Sequence, residues 1–307
     1  MLLRPATHED LQAVFAVMSA RDLADLGRPD LTLDDLRDRW SAGEFGLAED
    51  SVVAELDDGQ IAAYAEANRH GGLIVVAPDH DHDGDLGVAL LAWTERRERE
   101  LGHPAFHQFL AAGDTHGREL VERSGYTLVR HLWRMVRALG TSEDLPAPQP
   151  PEGITIRNPD PERDAVALHA LDDISFSDAA DYVGISVTMF IDQHLRAHDL
   201  DLSLSSVAER DGEIVAYLLA RRWEDEDAGF VDLLAVHPAQ RRRGLGRALL
   251  RTAFARIAAA GLSEAQLTVS SVNPGGLALY EGVGMTVRFE HDIWERRLPR
   301  EPARASG

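Results

Sequence analysis

The stretch FVDLLAVHPAQRRRGLGRALL, residues 230–250, decides the fold. Its first seven residues are apolar apart from Asp232 and predict a buried β-strand, while the apolar spacing from Leu249 onward predicts an amphipathic helix. Between them, Gly244 and Gly246 allow a tight turn and a close approach of the backbone to a ligand. Because the first-turn amides and dipole of a helix attract an anion, the segment predicts a phosphate-binding strand, loop and helix.

The arginines of this loop strengthen that interpretation. Arg241, Arg242 and Arg243 precede the glycines, and guanidinium groups form charge-assisted hydrogen bonds with phosphate. A lone Gly-x-Gly is weak evidence, because an arginine-rich surface turn has the same composition. The context favours a ligand site, since Asn273-Pro274-Gly275-Gly276 and Leu279-Tyr280 follow the predicted helix.

Working outward, predicted strands and helices alternate. The segments on either side of Asp211-Gly212 predict two strands, because Asp-Gly between apolar alternations is a strong hairpin signal. Leu249, Leu250, Phe254 and Ile257 recur at helical spacing. QLTVSSV predicts another strand, GLALYEGVG a short helix and TVRFEHDIWERRL a closing strand. The predicted fold class is α/β (α+β), a mixed twisted sheet flanked by helices.

The chain contains an internal repeat. One constant shift aligns Leu86-Gly87-x-Ala89-Leu90-Leu91 with Leu245-Gly246-x-Ala248-Leu249-Leu250, and Gly125-x-Thr127 with Gly284-x-Thr286. Four prolines without helical or strand periodicity mark residues 140–153 as a linker. We therefore predict two copies of one unit, in residues 1–139 and 154–300, followed by a tail at 301–307.

The composition excludes several functional classes. The chain has no cysteine, which removes disulfides, thiolate nucleophiles and cysteine-ligated metals. A formal net charge of −21 argues against nucleic acid, which requires a basic surface. Neither a signal-peptide core nor an apolar run long enough to span a membrane is visible. We expect a cytoplasmic protein, a monomer or homodimer, with no metal, membrane or nucleic-acid partner.

At its glycine and asparagine motifs the sequence resembles the GNAT (GCN5-related N-acetyltransferase) superfamily. The superfamily motif Gln/Arg-x-x-Gly-x-Gly/Ala, which follows the fourth strand, is matched by Arg241-x-x-Gly244-x-Gly246. A second pattern, Asn-x-x-Ala-x-x-Leu-Tyr-x-x-x-Gly-Phe, is matched by Asn273, Leu279, Tyr280 and Gly284.

Two positions depart from the second pattern. Gly276 stands where alanine is usual and Met285 where phenylalanine is usual, and neither change removes a functional group. Two such units in one chain are similar to the tandem type of the mycothiol synthase group. The resemblance implies two tandem GNAT folds and acetyl-CoA as the co-substrate.

The resemblance also implies a role for each matched position. Amides at the end of the strand would bind the pantetheine and polarise the acetyl carbonyl, and the loop and helix start would cradle the pyrophosphate. Tyr280 would protonate the departing thiolate, because a phenol with a pKa near 10 is protonated at neutral pH. The implied acetyl-CoA-binding residues are Leu234, Ala235, Val236, Arg241, Arg242, Arg243, Gly244, Leu245, Gly246, Arg247, Asn273, Gly276, Leu277 and Ala278.

The catalytic base departs from the family pattern. Enzymes resembling the mycothiol synthase group carry a glutamate on the fourth strand, and Phe230 occupies that position here. Asp232 lies two residues further on, so its side chain points to the same face of the strand. We predict Asp232 as a base acting directly or through water, or as the group that binds the substrate's cation. A solvent-facing aspartate at a strand edge is the alternative.

The first half lacks the groups that carry the chemistry. In the repeat alignment His82-Asp83-Gly84-Asp85 replaces the arginines and Gly244, and Val121 replaces Tyr280. Acidic side chains repel phosphate and valine cannot donate a proton, so we predict a degenerate, non-catalytic half. Asp79-x-Asp81-x-Asp83-Gly84 resembles the start of a calcium loop, but Leu90 stands where the loop needs glutamate.

We therefore interpret the chain as an acyltransferase, an acetyl-CoA-dependent N-acetyltransferase. It would act by direct transfer on a primary amine of a small molecule. Because both halves are acidic, a cationic acceptor is favoured, such as an aminoglycoside, polyamine, amino sugar or the cysteinyl-amine precursor of mycothiol. A non-catalytic acyl-CoA-binding or sensor module and a protein N-terminal acetyltransferase are the alternatives.

Overall fold

The structure is a computed structural model that describes residues 1–42, 45–69, 71–80, 84–140, 149–177, 182 and 184–298. The chain divides into two compact units, Met1–His131 with Glu290–Gly307, and Leu132–Phe289. In the part of the chain that is described, no helix has the length and apolar content needed to cross a bilayer.

The first unit is a mixed sheet with helices. Its strands β1 to β4 pair in sequence order and antiparallel, whereas β5 runs parallel to β4. The elements of this unit are β1 (Leu2–Pro5), α1 (Leu11–Leu26), α2 (Leu33–Ser41), α3 (Leu47–Asp50), β2 (Ser51–Glu55), β3 (Ile61–Asn68), β4 (Gly71–Val76), α4 (Gly84–Glu100), β5 (Ala105–Ala111) and α5 (Thr115–Arg123).

The second unit repeats this order of elements. Strands β7 to β10 pair antiparallel in sequence order, and β11 runs parallel to β10. A π-helical turn at Ile191–Leu195 continues α7. The elements of this unit are β7 (Thr155–Arg157), α6 (Pro161–Phe176), α7 (Val187–Phe190), β8 (Ser206–Arg210), β9 (Glu213–Trp223), β10 (Ala228–Val236), α8 (Leu245–Ala259), β11 (Glu264–Ser270) and α9 (Pro274–Glu281).

Each unit takes its last strand from the other half of the sequence. Residues Leu132–Ala138 of β6 (Thr127–Ala138) pair antiparallel with β11 of the second unit. Residues His291–Arg297 of β12 (Thr286–Arg297) pair antiparallel with β5 of the first unit. The spatial units therefore differ from the halves of the sequence by an exchange of closing strands. We keep 1–139 and 154–300 as a proposal for the extent of the two sequence copies; most of the predicted linker, 141–148, lies outside the described residues.

The predicted hairpin between β8 and β9 is confirmed. Asp211 and Gly212 have φ values of 53° and 86°, the left-handed conformations that a two-residue turn between twisted strands requires. The predicted helix at the centre of the second unit is α8, and Leu249, Phe254 and Ile257 on its inner face are fully buried.

Helices cover both faces of the second sheet. On one face α8 packs so closely that a Cβ added to Gly229 of β10 would lie 2.5 Å from Ile257. On the other face Leu168 and Leu171 of α6 pack with Tyr217 of β9. Along β10, Val231, Leu234 and Val236 therefore face α8, whereas Leu233 and Ala235 face α6.

One ion network occurs in both units and supports the internal repeat. Arg4 on β1 binds Asp10 at 2.8 Å and also Glu55 on β2. Arg157 on β7 binds Asp164 at 2.7 Å and also Glu209 on β8. In each unit one guanidinium thus joins the first two strands of the sheet to the region where the first long helix begins.

Candidate functional site

The end of strand β10 is open on one side. Its parallel pairing with β11 covers only Ala228–Val231, and no strand continues along that side of Asp232–Val236 within the described residues. On the other side the pairing with β9 has a bulge between Val231 and Leu233. Bulges redirect side chains and often occur next to active sites. The backbone groups of Leu234, Ala235 and Val236 therefore flank a gap beyond the paired part of β10 and β11, which a ligand can enter. We call this gap the wedge.

The first turn of α8 lies next to this wedge. Gly244 precedes the helix with φ of 83°, and no side chain caps the helix start among the described residues. A Cβ added to Gly246 would lie 3.1 Å from Leu279 and 3.8 Å from Val236. Because Gly246 has no side chain, the start of the helix lies close to both β10 and α9. Its uncapped amides can donate hydrogen bonds to an anion.

The loop arginines have different environments. Arg241 donates to the backbone carbonyls of Val236, at 3.2 Å, and of Ser175. Arg243 is exposed and donates to the side chain of Gln240, and Arg242 is exposed with φ of 62°. Arg241 therefore ties the loop to β10 and α6 with its guanidinium, a role that the sequence analysis did not anticipate.

Helix α9 supplies the other wall. Asn273 caps it by accepting a hydrogen bond of 2.9 Å from the amide of Gly276. A Cβ at Gly276 would lie 2.6 Å from the Asn273 side chain, so the glycine in place of the usual alanine suits this cap. Leu277 packs against the same core as α8. The guanidinium of Arg247 reaches the end of α9, 3.2 Å from the position of a Cβ on Gly282.

Tyr280 lies on α9, on the side of the sheet that α8 covers. Its hydroxyl makes no hydrogen bond with the described residues and is not fully buried. Burial of the side chain raises the pKa of Tyr280 to about 12. The phenol therefore stays protonated at neutral pH and can donate a hydrogen bond or a proton to a ligand in the wedge.

Asp232 lies at the bulge of β10, and its carboxylate contacts the side chains of His194 and Arg221. Its Oδ2 is 2.7 Å from Nδ1 of His194 and accepts a hydrogen bond of 3.2 Å from Arg221. Burial alone would raise the pKa of Asp232, but the hydrogen bond with His194 and the charge of Arg221 outweigh burial and lower it. An ionised, doubly bound carboxylate is a poor proton acceptor, which argues against Asp232 as the direct base.

His194 is the functional residue that the sequence analysis missed. It lies on the π-helical turn after α7, where Ser186 caps the helix start. With Asp232 ionised, Nδ1–H of His194 donates to the carboxylate, so Nε2 carries a lone pair. Within the described residues Nε2 has no hydrogen-bond partner, and it is not fully buried. The pair has the geometry of a histidine oriented by an aspartate.

Phe230 takes the place where similar enzymes have a glutamate. Its ring stacks on Trp223 with centroids 4.2 Å apart, and the guanidinium of Arg134 lies 4.7 Å above it. These contacts are structural, so Phe230 supplies no acid or base.

Two further carboxylates lie on α6, on the face of the sheet where Asp232 projects. Tyr217 of β9 donates to Asp172, and Tyr182 donates to Asp173. Burial raises the pKa of Asp172, and the hydrogen bond from Tyr217 partly opposes that shift. With Asp232, this face of the unit carries three acidic side chains near the open end of β10.

The first unit differs from the second in the strand and helix that correspond to β10 and α9. Strand β4 pairs with β3 from Ala63 to Asn68 without a bulge. Val121 is buried in the core, and Asp114 caps α5 through the amide of Gly117 at 2.7 Å. His82 and Asp83, which replace two of the arginines, lie outside the described residues, as does Asp81 of the calcium-loop pattern.

The chain is similar in sequence to known proteins over most of its length. The sequence profile described as "Acetyltransferase (GNAT) family" matches residues 168–285. Over 248 residues the chain is 32% identical to a mycothiol acetyltransferase of Streptomyces griseus, covering 78% of this chain and 77% of that protein. Over 299 residues it is 31% identical to a mycothiol acetyltransferase of Thermobispora bispora, covering 95% and 97%.

A solved structure shares the fold along nearly the whole chain. A tandem GNAT protein from the clavulanic acid biosynthesis pathway superposes with a TM-score of 0.72 at 14% sequence identity. The superposition covers 98% of this chain and 99% of that one. At this identity the likeness concerns the fold alone, and it agrees with the repeated order of elements in the two units.

Proposed function

Because the chain belongs to the GNAT family of acetyltransferases, we propose that it transfers the acetyl group of acetyl-CoA to a primary amine of a small, cationic molecule. The observation that carries this proposal is that the open end of β10 has a polar side chain or pair on each face of the sheet. Tyr280 is on the α8 face and the His194–Asp232 pair on the α6 face. Family membership makes the chain an enzyme, so the non-catalytic sensor alternative is dropped.

We propose that acetyl-CoA binds along the wedge and the start of α8. The pyrophosphate would accept hydrogen bonds from the uncapped amides of Gly244–Arg247, while exposed Arg242 and Arg243 neutralise its charge. The pantetheine would extend β10 through Leu234, Ala235 and Val236, with Asn273–Ala278 on its other side. A helix start contributes about 0.3–1 kcal/mol toward an anion, so several amides and guanidiniums act together.

The base in this proposal is Nε2 of His194. It accepts a proton from the acceptor ammonium, and the freed amine nitrogen forms a bond to the acetyl carbonyl carbon. Asp232 and Arg221 hold the imidazole with Nδ1–H toward the carboxylate. Asp232 thus acts through His194, as a positioning residue, which modifies its predicted role as a base acting directly or through water.

Tyr280 completes the transfer. Backbone amides at the end of β10 stabilise the tetrahedral oxyanion, and the carbon–sulfur bond then breaks. The phenol gives its proton to the departing thiolate and regains one from the nitrogen of the new amide, while the proton held by His194 returns to solvent, so the products are the acetamide and CoA. No covalent enzyme intermediate is needed.

The acceptor class rests on the acidic face of the second unit. Asp172 and Asp173 of α6 lie on the face of the sheet that also carries Asp232 and His194, and acidic side chains attract a cationic amine. The similar proteins are named mycothiol acetyltransferases. The amine precursor of mycothiol is therefore the first acceptor to test, beside aminoglycosides, polyamines and amino sugars.

A thiol-release assay with acetyl-CoA and a panel of amines tests this function. We expect turnover with at least one cationic small-molecule amine and none with an acidic amine of the same size. Release of CoA only when a peptide amino terminus is added would favour the protein N-terminal acetyltransferase alternative. Absence of turnover with every amine, at concentrations where acetyl-CoA binds, would overturn the proposal.

The first unit is proposed to be non-catalytic. Its β4 lacks the bulge that displays Asp232, and buried Val121 stands in place of Tyr280. Nothing in the described part of this unit replaces either group at the same position.

A further inference from the structure

Three potential metal ligands meet in the first unit, within a short stretch of chain. Glu98 lies near the end of α4, His103 in the connection after it, and His107 on β5. One ligand atom from each of the three residues lies within 4.8 Å of the others. None of the three takes part in the acetyl-transfer site.

Glu98 is the buried member of this cluster. Its side chain is completely buried, and Oε1 accepts a hydrogen bond of 3.0 Å from the backbone amide of His107. Oε2 is also buried and has no hydrogen-bond partner among the described residues. A buried carboxylate oxygen without a partner costs free energy comparable to that of a lost hydrogen bond or more, and a bound cation at this oxygen would remove that cost.

The two histidines approach the same carboxylate. Nδ1 of His103 lies 3.7 Å from Oε1 of Glu98, too far for a hydrogen bond. Nε2 of His107 lies 3.3 Å from a carboxylate oxygen of Glu295 on β12. Metal-bound histidines usually give their second ring nitrogen to a carboxylate, which fixes the ring and its tautomer. Glu295 has the position of such a partner.

Strand β4 lies close to Glu98 and His107. A Cβ on Gly71 of β4 would lie 2.6 Å from His107 and 3.3 Å from Oε1 of Glu98. The two glycines at positions 71 and 72 therefore let β4 lie directly against the ligand set. The partly exposed rings of His103 and His107 leave a path for an ion from solvent.

We propose that Glu98, His103 and His107 bind one zinc ion in the first unit. Two imidazoles and one carboxylate are a donor set that zinc takes with water in the fourth position, whereas calcium and magnesium prefer oxygen ligands alone. Binding requires the ligand atoms to close from within 4.8 Å to the spacing around a tetrahedral ion. The ion ties the end of α4 to β5 and, through Glu295, to β12.

The site can be tested with Co²⁺ as a spectroscopic probe for zinc. The full chain is dialysed against a chelator, titrated with Co²⁺, and the visible ligand-field bands are followed; Zn²⁺ is then added in competition. We expect one equivalent of Co²⁺ with the strong bands of tetrahedral coordination, displaced by one equivalent of Zn²⁺. Failure to bind one equivalent, or octahedral bands alone, overturns the proposal.

Variants locate the ion. Glu98→Gln, His103→Gln and His107→Gln preserve side-chain size, and each should weaken Co²⁺ binding at least about 100-fold, since even outer carboxylate partners of metal ligands contribute about 10–100-fold. Glu295→Gln should weaken it within that smaller range. His8→Gln, an exposed histidine of the same unit, should leave binding unchanged.

Folding is checked independently of metal binding. Far-ultraviolet circular dichroism of each metal-free variant shows whether it is folded. Zn²⁺ should raise the thermal midpoint of the wild type and of His8→Gln, raise that of Glu295→Gln by less, and leave those of the three ligand variants unchanged. Unchanged Co²⁺ affinity in folded Glu98→Gln and His103→Gln would place the ion elsewhere and refute this site. The test does not depend on acetyl transfer, because it uses no acetyl-CoA and no acceptor.

Discussion

Nδ1 of His194 lies 2.7 Å from Oδ2 of Asp232, although the two residues are 38 positions apart in the chain. The aspartate lies at the bulge in β10, and the histidine lies on the π-helical turn after α7. Two local irregularities of the backbone thus meet in one polar pair beside the open end of a strand. Bulges in strands and π-helical turns occur frequently at functional sites, where they redirect side chains.

Replacement of His194 by glutamine should lower kcat by about 10²–10⁴-fold, the usual contribution of a positioned general base. Asp232→Asn should lower kcat by less, because an asparagine can still contact the ring but no longer fixes its tautomer. Acetyl-CoA affinity, measured by calorimetry, should be unchanged in both variants. If Asp232→Asn is inactive and His194→Gln retains most activity, Asp232 is the base and His194 is not.

The pH dependence of kcat/KM separates the same two roles. The pKa of Asp232 is lowered, so its carboxylate is ionised at every pH above about 5 and cannot produce an acid limb there. With His194 as the base, we expect kcat/KM to rise with pH above about 5 in the wild type and the rise to be absent in His194→Gln. Asp192→Asn, on the same π-helical turn, should keep the wild-type profile.

Loss of the Tyr280 hydroxyl should affect turnover and leave binding intact. Tyr280→Phe removes the proton donor without changing the packing of the ring on α9, so kcat should fall by about 10²-fold or more. Because the pKa of Tyr280 is raised to about 12, the phenol stays protonated well above neutral pH. The wild-type rate should therefore show no loss from tyrosine ionisation below about pH 10. A Tyr280→Phe variant with a wild-type rate would remove the tyrosine from the mechanism.

Gly244 and Gly261 provide a matched pair for the phosphate site. Both have φ of 83°, and a Cβ on either meets no atom within 4 Å. Alanine at either position costs about 1–2 kcal/mol in this left-handed conformation. Only Gly244 precedes the uncapped start of α8, whereas Gly261 follows its end. Both variants should lose similar thermal stability, but Gly244→Ala alone should raise the KM for acetyl-CoA; equal KM values would argue against this helix start as the phosphate site.

Sequence patterns identified most elements because apolar periodicity and turn residues act locally. The hairpin at Asp211–Gly212 and the core face of α8 both follow from residues near one another in the chain. The repeat predicted two copies of one unit and the family resemblance implied that each is a GNAT fold; both are confirmed by a whole-chain relative and a tandem structural neighbour.

Long-range partners could not be read from the same patterns. The composition of TVRFEHDIWERRL predicts a strand but does not choose between two similar sheets, and β12 pairs with β5 of the other half. His194 reads as a polar residue on a short amphipathic segment, and only an unpaired aspartate within apolar β10 hinted at a partner. The contacts of Arg241 with two backbone carbonyls depend on loop geometry that charge alone cannot specify.

The ion network that anchors α6 should make the second unit sensitive to acid. Burial alone would raise the pKa of Asp164, but hydrogen bonds from Arg157 and Arg163 outweigh burial and lower it well below its ordinary value. A carboxyl whose folded pKa is depressed stabilises the protein above its unfolded pKa of about 3.9, and the stabilisation is lost as pH falls toward the folded value. Asp164→Asn should therefore destabilise the protein at neutral pH and progressively less in acid.

We expect Asp164→Asn to lower the free energy of unfolding by about 2 kcal/mol at pH 7, between the contribution of one charge-assisted hydrogen bond and that of a broken buried pair. Urea unfolding at intervals from pH 7 to pH 3 measures how this difference shrinks below about pH 4. Asp211→Asn removes the same charge from an exposed turn and should change stability by less than about 0.5 kcal/mol at any pH. Asp10→Asn, at the corresponding position of the first unit, should behave as Asp164→Asn does, because Arg4 makes the same contacts there. A difference that is independent of pH would mean that packing, and not the ionised carboxylate, accounts for the stability of the network.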